Sequence, residues 1–327
     1  MPKANNTLSL VVVGANGFVG GTLLLEASTR PDISVRAQAR SQASVLKSAN
    51  IAGVCGSLEQ ISPDLFPQTP HILIHVAGKN LDHDGTGYEK VNVQGTANLL
   101  DHCNAHTCGI IYHSSLSVLG QGKQNNASAD ATQSPETPLA CSRAQAETLV
   151  LRKAEALGIS AYCLRPRFIL GRGDAFVLPA LRRLASKGLR IGNGSQKFSV
   201  IDVNDYANLI LQLSTHINRS NHTEQMALNI GYDQPLTLST IYQVLLENDG
   251  GQKSKFTLHH PAIAAKLLSY LPFKKSQSLA TQLQLIGLDH YGDVSQTSAR
   301  LQTDLLSRDS HQYFRDLVQN TKDSPCS

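Results

Sequence analysis

No stretch of the 327-residue chain reaches 18 consecutive apolar residues, so no membrane span is expected. The first residues hold only a short apolar run, broken by Asn16 and glycines, which is not the pattern of a secretory signal. Internal repeats and low-complexity tracts are absent too. Charge is sparse: Asp, Glu, Lys and Arg make up 17% of the residues, with a net of +4. That excess reads as spread along the chain, with no basic arm or stripe, and excludes nucleic acid as an expected partner. The cysteines Cys55, Cys103, Cys108, Cys141, Cys163 and Cys326 form neither a close metal pair nor a regular disulfide framework. They are expected to be thiols in a reducing cytoplasm. No cluster has zinc or calcium spacing, and the adjacent His259 and His260 would point different ways.

What is present suits a folded α/β protein. Hydrophobic residues are 41%, too many for a disordered chain. At this length about three quarters of the surface can be buried without a disulfide or metal. Apolar runs predict strands at Leu8–Val13, Ile33–Ala39, Val54–Cys55, Ile72–Ala77, Ile110–His113 and Ser160–Leu164. Helical segments alternate with them, notably Gly95–His106 and Leu139–Leu157. That alternation predicts a doubly wound parallel sheet with helices on both faces. Residues 1–165 would form a nucleotide-binding half. Residues 166–327 would form a smaller mixed substrate region, parts of which return to the main sheet. Asn125–Pro135 reads as a polar loop long enough to cover a site.

Gly14, Gly17 and Gly20 are spaced G-x-x-G-x-x-G directly between the first strand and its helix. The first glycine permits a tight turn, the second a close approach to a pyrophosphate, and the third close packing of helix on strand. The helix N-terminus then offers free amides to phosphate. Asn16, Phe18 and Val19 belong to this loop. An NAD site places Asp or Glu at the end of the second strand. Ala39 stands there, followed by Arg40 and Ser41, with Arg36 earlier on the strand. A guanidinium suits a 2′-phosphate, so NADP is favoured and NAD is the alternative.

These residues resemble the extended short-chain dehydrogenase/reductase family, in its epimerase/dehydratase and 3β-hydroxysteroid-dehydrogenase-like group. The marks are VVGANGFVGG at Val12–Gly21, IHVAG at Ile74–Gly78, NVQGTANLL at Asn92–Leu100, YHSSLSVLG at Tyr112–Gly120 and LRPRFILGRGD at Leu164–Asp174. IGNGSQKFSVIDVNDYA at Ile191–Ala207 and LNIGYDQPLTL at Leu228–Leu238 extend the likeness into the second half. The resemblance implies a Rossmann-type fold and a nicotinamide cofactor. It implies Ala77 and Gly78 beneath the cofactor, Pro166 near the nicotinamide, and Ser115 as the hydroxyl that holds the substrate oxygen.

The same resemblance exposes a break. The family carries a Tyr and, four residues later, a Lys on one helix face. The matching segment here, SPETPLACSRAQAETLV, has Leu139 and Arg143. Leucine cannot transfer a proton. Arginine keeps the charge and can still hold ribose, but is no acid at neutral pH. Ordinary alcohol oxidation or ketone reduction is therefore in question. The candidate catalytic residues are Ser115, Arg143 and Cys141, with His113 as a further proton carrier. Tyr88, Leu139 and Arg172 are candidate substrate contacts, and Lys79 and His83 would line the mouth. The expected function is an atypical NADP-preferring oxidoreductase acting on a small or lipid-like molecule. A non-catalytic cofactor-binding sensor and a non-redox dehydratase or lyase stay open. A homodimer through Gly95–His106 and Leu139–Leu157 is compatible with the pattern.

Overall fold

Leu8–Val13 forms β1, and its side chains divide between two cores. Leu10 and Val12 join one, Val11 and Val13 the other. A strand buried on both faces needs an unbroken apolar run, and that is what the sequence supplies. The computed structural model describes residues 7–41, 45–82, 87–186, 188–249, 256–270, 273–301 and 304–321.

After β1 come α1 (Phe18–Ser28), β2 (Ile33–Ala39), β3 (Ile51–Cys55), β4 (His71–His75), α2 (Gly95–Asp101), β5 (Thr107–His113), β6 (Gln124–Ala127), α3 (Pro138–Leu157) and β7 (Ser160–Pro166). The second half holds β8 (Phe168–Leu170), α4 (Val177–Ser186), β9 (Leu189–Ile191), β10 (Lys197–Phe198), β11 (Val200–Asp202), α5 (Val203–Arg219) and β12 (Gln225–Ile230). It continues with β13 (Leu236–Thr237), α6 (Leu238–Asp249), β14 (Phe256–Leu258), α7 (Pro261–Ser269), α8 (Lys274–Gly287), β15 (His290–Gly292), α9 (Ser295–Ser298) and α10 (Ser310–Asn320).

Seven strands build the central sheet in the order β12-β7-β5-β4-β1-β2-β3, every pair parallel. α1 and α5 pack together over one face. α2 and α3 cover the other with Leu99, Leu100, Ala146, Val150 and Ala154. The expected doubly wound α/β fold is what forms. Strand order reverses between β1 and β4, which opens a crevice at the carboxyl ends of those strands. β12 is contributed by the second half and forms the edge beside β7. The other strands of that half form smaller sheets (β13-β10-β15-β6, β11-β8 and β14-β9), one of which takes in β6 from the first half.

Two segments differ from expectation. The helix expected at Gly95–His106 begins earlier, with a π-helical turn at Glu89–Gln94, and ends at Asp101. Asn92 drives this: its side chain is turned inward onto Lys79 and Ser142, which a widened turn permits. Asn125–Pro135 is not an unattached cover. Its start lies in β6, paired with β15, and its later part is tied down by Arg165 and Glu147.

Candidate active site

The glycine loop occupies the crevice between β1 and β4. Gly14 has φ +96°, a conformation glycine adopts freely, and a Cβ there would stand 2.5 Å from the Ala77 nitrogen. A Cβ on Gly20 would stand 2.1 Å from Gly14 O. Both glycines are therefore demanded by backbone contact. Gly17 caps α1 without a side-chain hydrogen bond, and the first turn holds no acid. Val19 is buried, Phe18 packs against the core, and Asn16 is exposed beside them. At the end of β2, Ala39 is buried while Arg40 and Ser41 are exposed. Arg36 is turned elsewhere, donating to Asp64 O at 2.5 Å.

Arg143 lies on the floor of the crevice and is 2% exposed. The N-cap Thr137, which accepts from Ala140 N at 3.1 Å, and Pro138 start α3 so that this side chain points at the sheet. Its Nη1 donates to His113 O (2.8 Å) and Tyr112 Oη (3.3 Å), and its Nη2 to Asn80 Oδ1 (2.7 Å). Gly78 makes the space for it: a Cβ there would sit 2.5 Å from Nη2. None of the ion pairs among the described residues involves Arg143. Its charge is thus met by neutral acceptors alone. Burial, with this cation beside them, holds His75 and His113 down at about 3, so both rings are neutral.

Ser114 and Ser115 face apart. Ser114 Oγ donates to Glu147, which is wholly buried one helical turn beyond Arg143. Arg165 clasps the same carboxylate through Nε (2.9 Å) and Nη2 (2.6 Å), and Gln133 Nε2 adds a donor at 2.6 Å. Arg165 Nη1 reaches on to Ala129 O at 2.8 Å. This brace joins β5, α3, β7 and the segment after β6. Ser115 is half-buried and caps a short 3-10 turn. Its oxygen accepts from Ser117 N (3.2 Å) and Ser117 Oγ (2.9 Å), which leaves its own hydrogen to donate.

The other sequence candidates scatter. Leu139 is half-buried on α3. Cys141 donates its thiol hydrogen to Pro135 O at 3.5 Å, away from Arg143. His113 Nδ1 lies 2.8 Å from Tyr206 Oη, across the sheet from Ser114. Tyr88 is half-buried with its Oη 3.5 Å from Asn80 O, so it shares a neighbour with Arg143. Pro166 ends β7 opposite Ile230, and Arg172 is exposed. Lys79 pairs with Asp82, while His83 and Cys326 lie outside the described residues. Among the described residues no group of His, Cys, Asp and Glu could hold a metal ion.

Sequence reasoning missed Asn80, Glu147 and Arg167. Arg167 follows β7 and faces the second half, where Nη2 donates to Leu285 O at 3.1 Å. Its Nε is shut from solvent without a partner, and burial pulls its pKa down to about 10. No ion pair among the described residues includes it. A second arginine two residues after Arg165, with no acid near it in the sequence until Asp174, was the available signal.

Known proteins share the sequence pattern and the fold. The model of the NAD dependent epimerase/dehydratase family matches residues 10–231. A sterol-4-alpha-carboxylate 3-dehydrogenase (decarboxylating) of Candida albicans is 27% identical over 289 residues, covering 80% of this chain and 81% of that protein. A 2-alkyl-3-oxoalkanoate reductase of Stenotrophomonas maltophilia is 29% identical over 219 residues, covering 61% and 63%. Among solved structures, MoeE5 in complex with UDP-glucuronic acid and NAD shares the fold, with a TM-score of 0.72 and 21% identity over 96% of this chain and 99% of that one.

Proposed function

Because this chain belongs to the NAD dependent epimerase/dehydratase family, we propose that it is an NADP-preferring oxidoreductase that works on a lipid-like carboxylate by a modified proton route. One observation carries the reading. The loop from Gly14 to Gly20 keeps every glycine that backbone contact demands, while Leu139 and Arg143 stand where the resemblance expects the acid–base pair. The residues present fit a dinucleotide. The uncapped first turn of α1 offers amides to a pyrophosphate. Arg40 and Ser41 suit a 2′-phosphate, and no carboxylate stands at the end of β2 to accept from a free ribose hydroxyl.

When bound, a nicotinamide cofactor supplies hydride to a carbonyl or takes it from an alcohol. The chain must supply the rest. Ala77, Gly78 and Arg143 would form the floor on which the cofactor's ribose rests. Ser115 donates its free hydrogen to the substrate oxygen. Ser117 then returns a proton to Ser115 across their 2.9 Å contact and draws one from solvent. An alkoxide is about as basic as a serine alkoxide, so this exchange between hydroxyls runs nearly level. Arg167 supports an anionic group on the substrate, since a buried cation without an acid invites one. Sterol-4-alpha-carboxylate and 2-alkyl-3-oxoalkanoate, named by two relatives, are both carboxylates with an oxygen function on carbon 3.

Calorimetric titration with NADPH and NADH, followed by turnover of long-chain 3-oxo acids and their methyl esters, tests the reading. NADPH should bind the tighter, the acids should be reduced and the esters should fail. Ser117→Ala should lower kcat and leave KM in place. A cofactor-binding protein without turnover is the second reading, favoured by Leu139; cofactor binding with no reduction of any acid would select it. Failure of both cofactors to bind would overturn both readings.

A further inference from the structure

The second half carries a surface that the site above does not use. α7 has a buried side: Ala265 is wholly enclosed, Leu268 packs against the core, and Pro261 closes on Gly287 of α8. On its other side Ile263, Leu267 and Tyr270 recur at i, i+4 and i+7, and are 59%, 65% and 74% exposed. Phe273, just before α8, is 66% exposed. Four of the nine exposed large hydrophobic side chains among the described residues thus fall within 11 positions. The remaining five, such as Leu25 and Phe176, stand at scattered positions along the chain and need no explanation.

Charge sets this stretch apart as well. Residues 250–288 contain no Asp or Glu, but five lysines: Lys253, Lys255, Lys266, Lys274 and Lys275. The whole chain has 29 Lys and Arg against 25 Asp and Glu, so these 39 residues carry +5 and all the others together −1. The positive excess that reads as dispersed is therefore collected, along the sequence, in the stretch that carries the apolar face. Lys266 is exposed on α7 itself.

We propose that the outer face of α7, with Phe273, docks on an anionic lipid bilayer. A short helix with aliphatic and aromatic side chains on one face and lysines around it lies in the headgroup plane and buries that face among acyl chains. Lysines near an anionic leaflet add attraction that salt screens. A second copy of this chain is a poorer occupant, because two such segments would bring +5 against +5. A protein partner would need an acidic, apolar-centred face to match, whereas an anionic bilayer offers both parts at once. The surface stands on these observations whether or not the active site turns over a lipid.

The test is co-sedimentation of the full chain with vesicles of phosphatidylcholine alone or with about 30% phosphatidylglycerol. Retention should appear on the anionic vesicles, stay weak on the neutral ones, and fall at least about tenfold from low to roughly 0.5 M salt. The variant Ile263→Gln/Leu267→Gln/Phe273→Ser should lose retention about tenfold or more. Its melting temperature and NADPH affinity should match those of the parent, which shows that the loss is local. The proposal is overturned if anionic vesicles fail to retain the parent, or if the triple variant is retained as well. It is also overturned if the variant abolishes a concentration-dependent dimer while leaving vesicle binding intact.

Discussion

Replacing Glu147 by Gln removes one charge from the most enclosed part of the site and alters little else. The carboxylate takes four hydrogen bonds: from Ser114, from Gln133 and two from Arg165. All four bonds are donated to the carboxylate, and a glutamine offers one oxygen and one NH₂, so at least one contact becomes donor against donor. Arg165, 4% exposed, would then keep its charge with no acid to meet it. Breaking a buried pair from one side costs about 3–5 kcal/mol. A chain of this length has an unfolding entropy of roughly 0.7 kcal/mol/K, so the melting temperature should drop by about 4–7 °C. Glu147→Leu combined with Arg165→Met should recover most of the loss, because an apolar pair of similar volume leaves no charge stranded. Thermal and urea unfolding of the parent, Glu147→Leu, Arg165→Met and the double variant complete the cycle, with Glu147→Gln measured beside them. A single-variant loss below about 1 kcal/mol, or a double variant less stable than Glu147→Gln, would refute the assignment of the pair as a charge-matched brace.

Gly78→Ala should push the Arg143 guanidinium off Asn80 and cost about 1–2 kcal/mol, with weaker NADPH binding by calorimetry; unchanged stability would mean that Arg143 is not anchored as described. His75 and His290, both 1% exposed and held neutral by burial with pKa values of about 3, take up protons only on unfolding. Stability is then complete above about pH 6.5 and falls toward pH 3, by about 1.4 kcal/mol per pH unit for each ring. Acid titration by circular dichroism should show that slope and should flatten in His75→Gln/His290→Gln; an equal slope in the variant would falsify the link. Arg40→Asp should weaken NADPH by about 10–100-fold while sparing NADH, and an unchanged ratio would remove Arg40 from the 2′-phosphate.

The parts of the fold legible in the sequence are those where one residue type is physically required. Leu8–Val13 must be apolar throughout because both faces are covered, and Gly14 and Gly20 must lack a Cβ because backbone fills the space. That Leu139 and Arg143 share one face of α3 was legible because helix spacing fixes which positions lie together. What surrounds Arg143 was not. Asn80, Tyr112 and the His113 carbonyl reach it from the ends of two strands, and no spacing along the chain encodes that meeting. The π-helical turn before α2 was equally hidden, since an inward polar side chain rather than an apolar period produces it. Glu147 left a trace that could have been followed. It falls among Ala144, Ala146 and Val150 on the inner side of α3, where an acid demands a buried cation.

The parallel pairing of β12 with β7 has a consequence for synthesis. β7 is buried at every position, yet its outer edge stays without a neighbour until β12 has been made. From Pro166 to Gln225 the ribosome must add about 60 residues, which takes roughly 3–12 seconds. During that interval the nascent sheet presents a row of unpaired amides and carbonyls beside apolar side chains, the kind of edge that recruits other chains. The first 165 residues therefore cannot finish their own sheet. A chain released after residue 165 would stay open at this edge, and holding the growing chain there is a natural task for a chaperone.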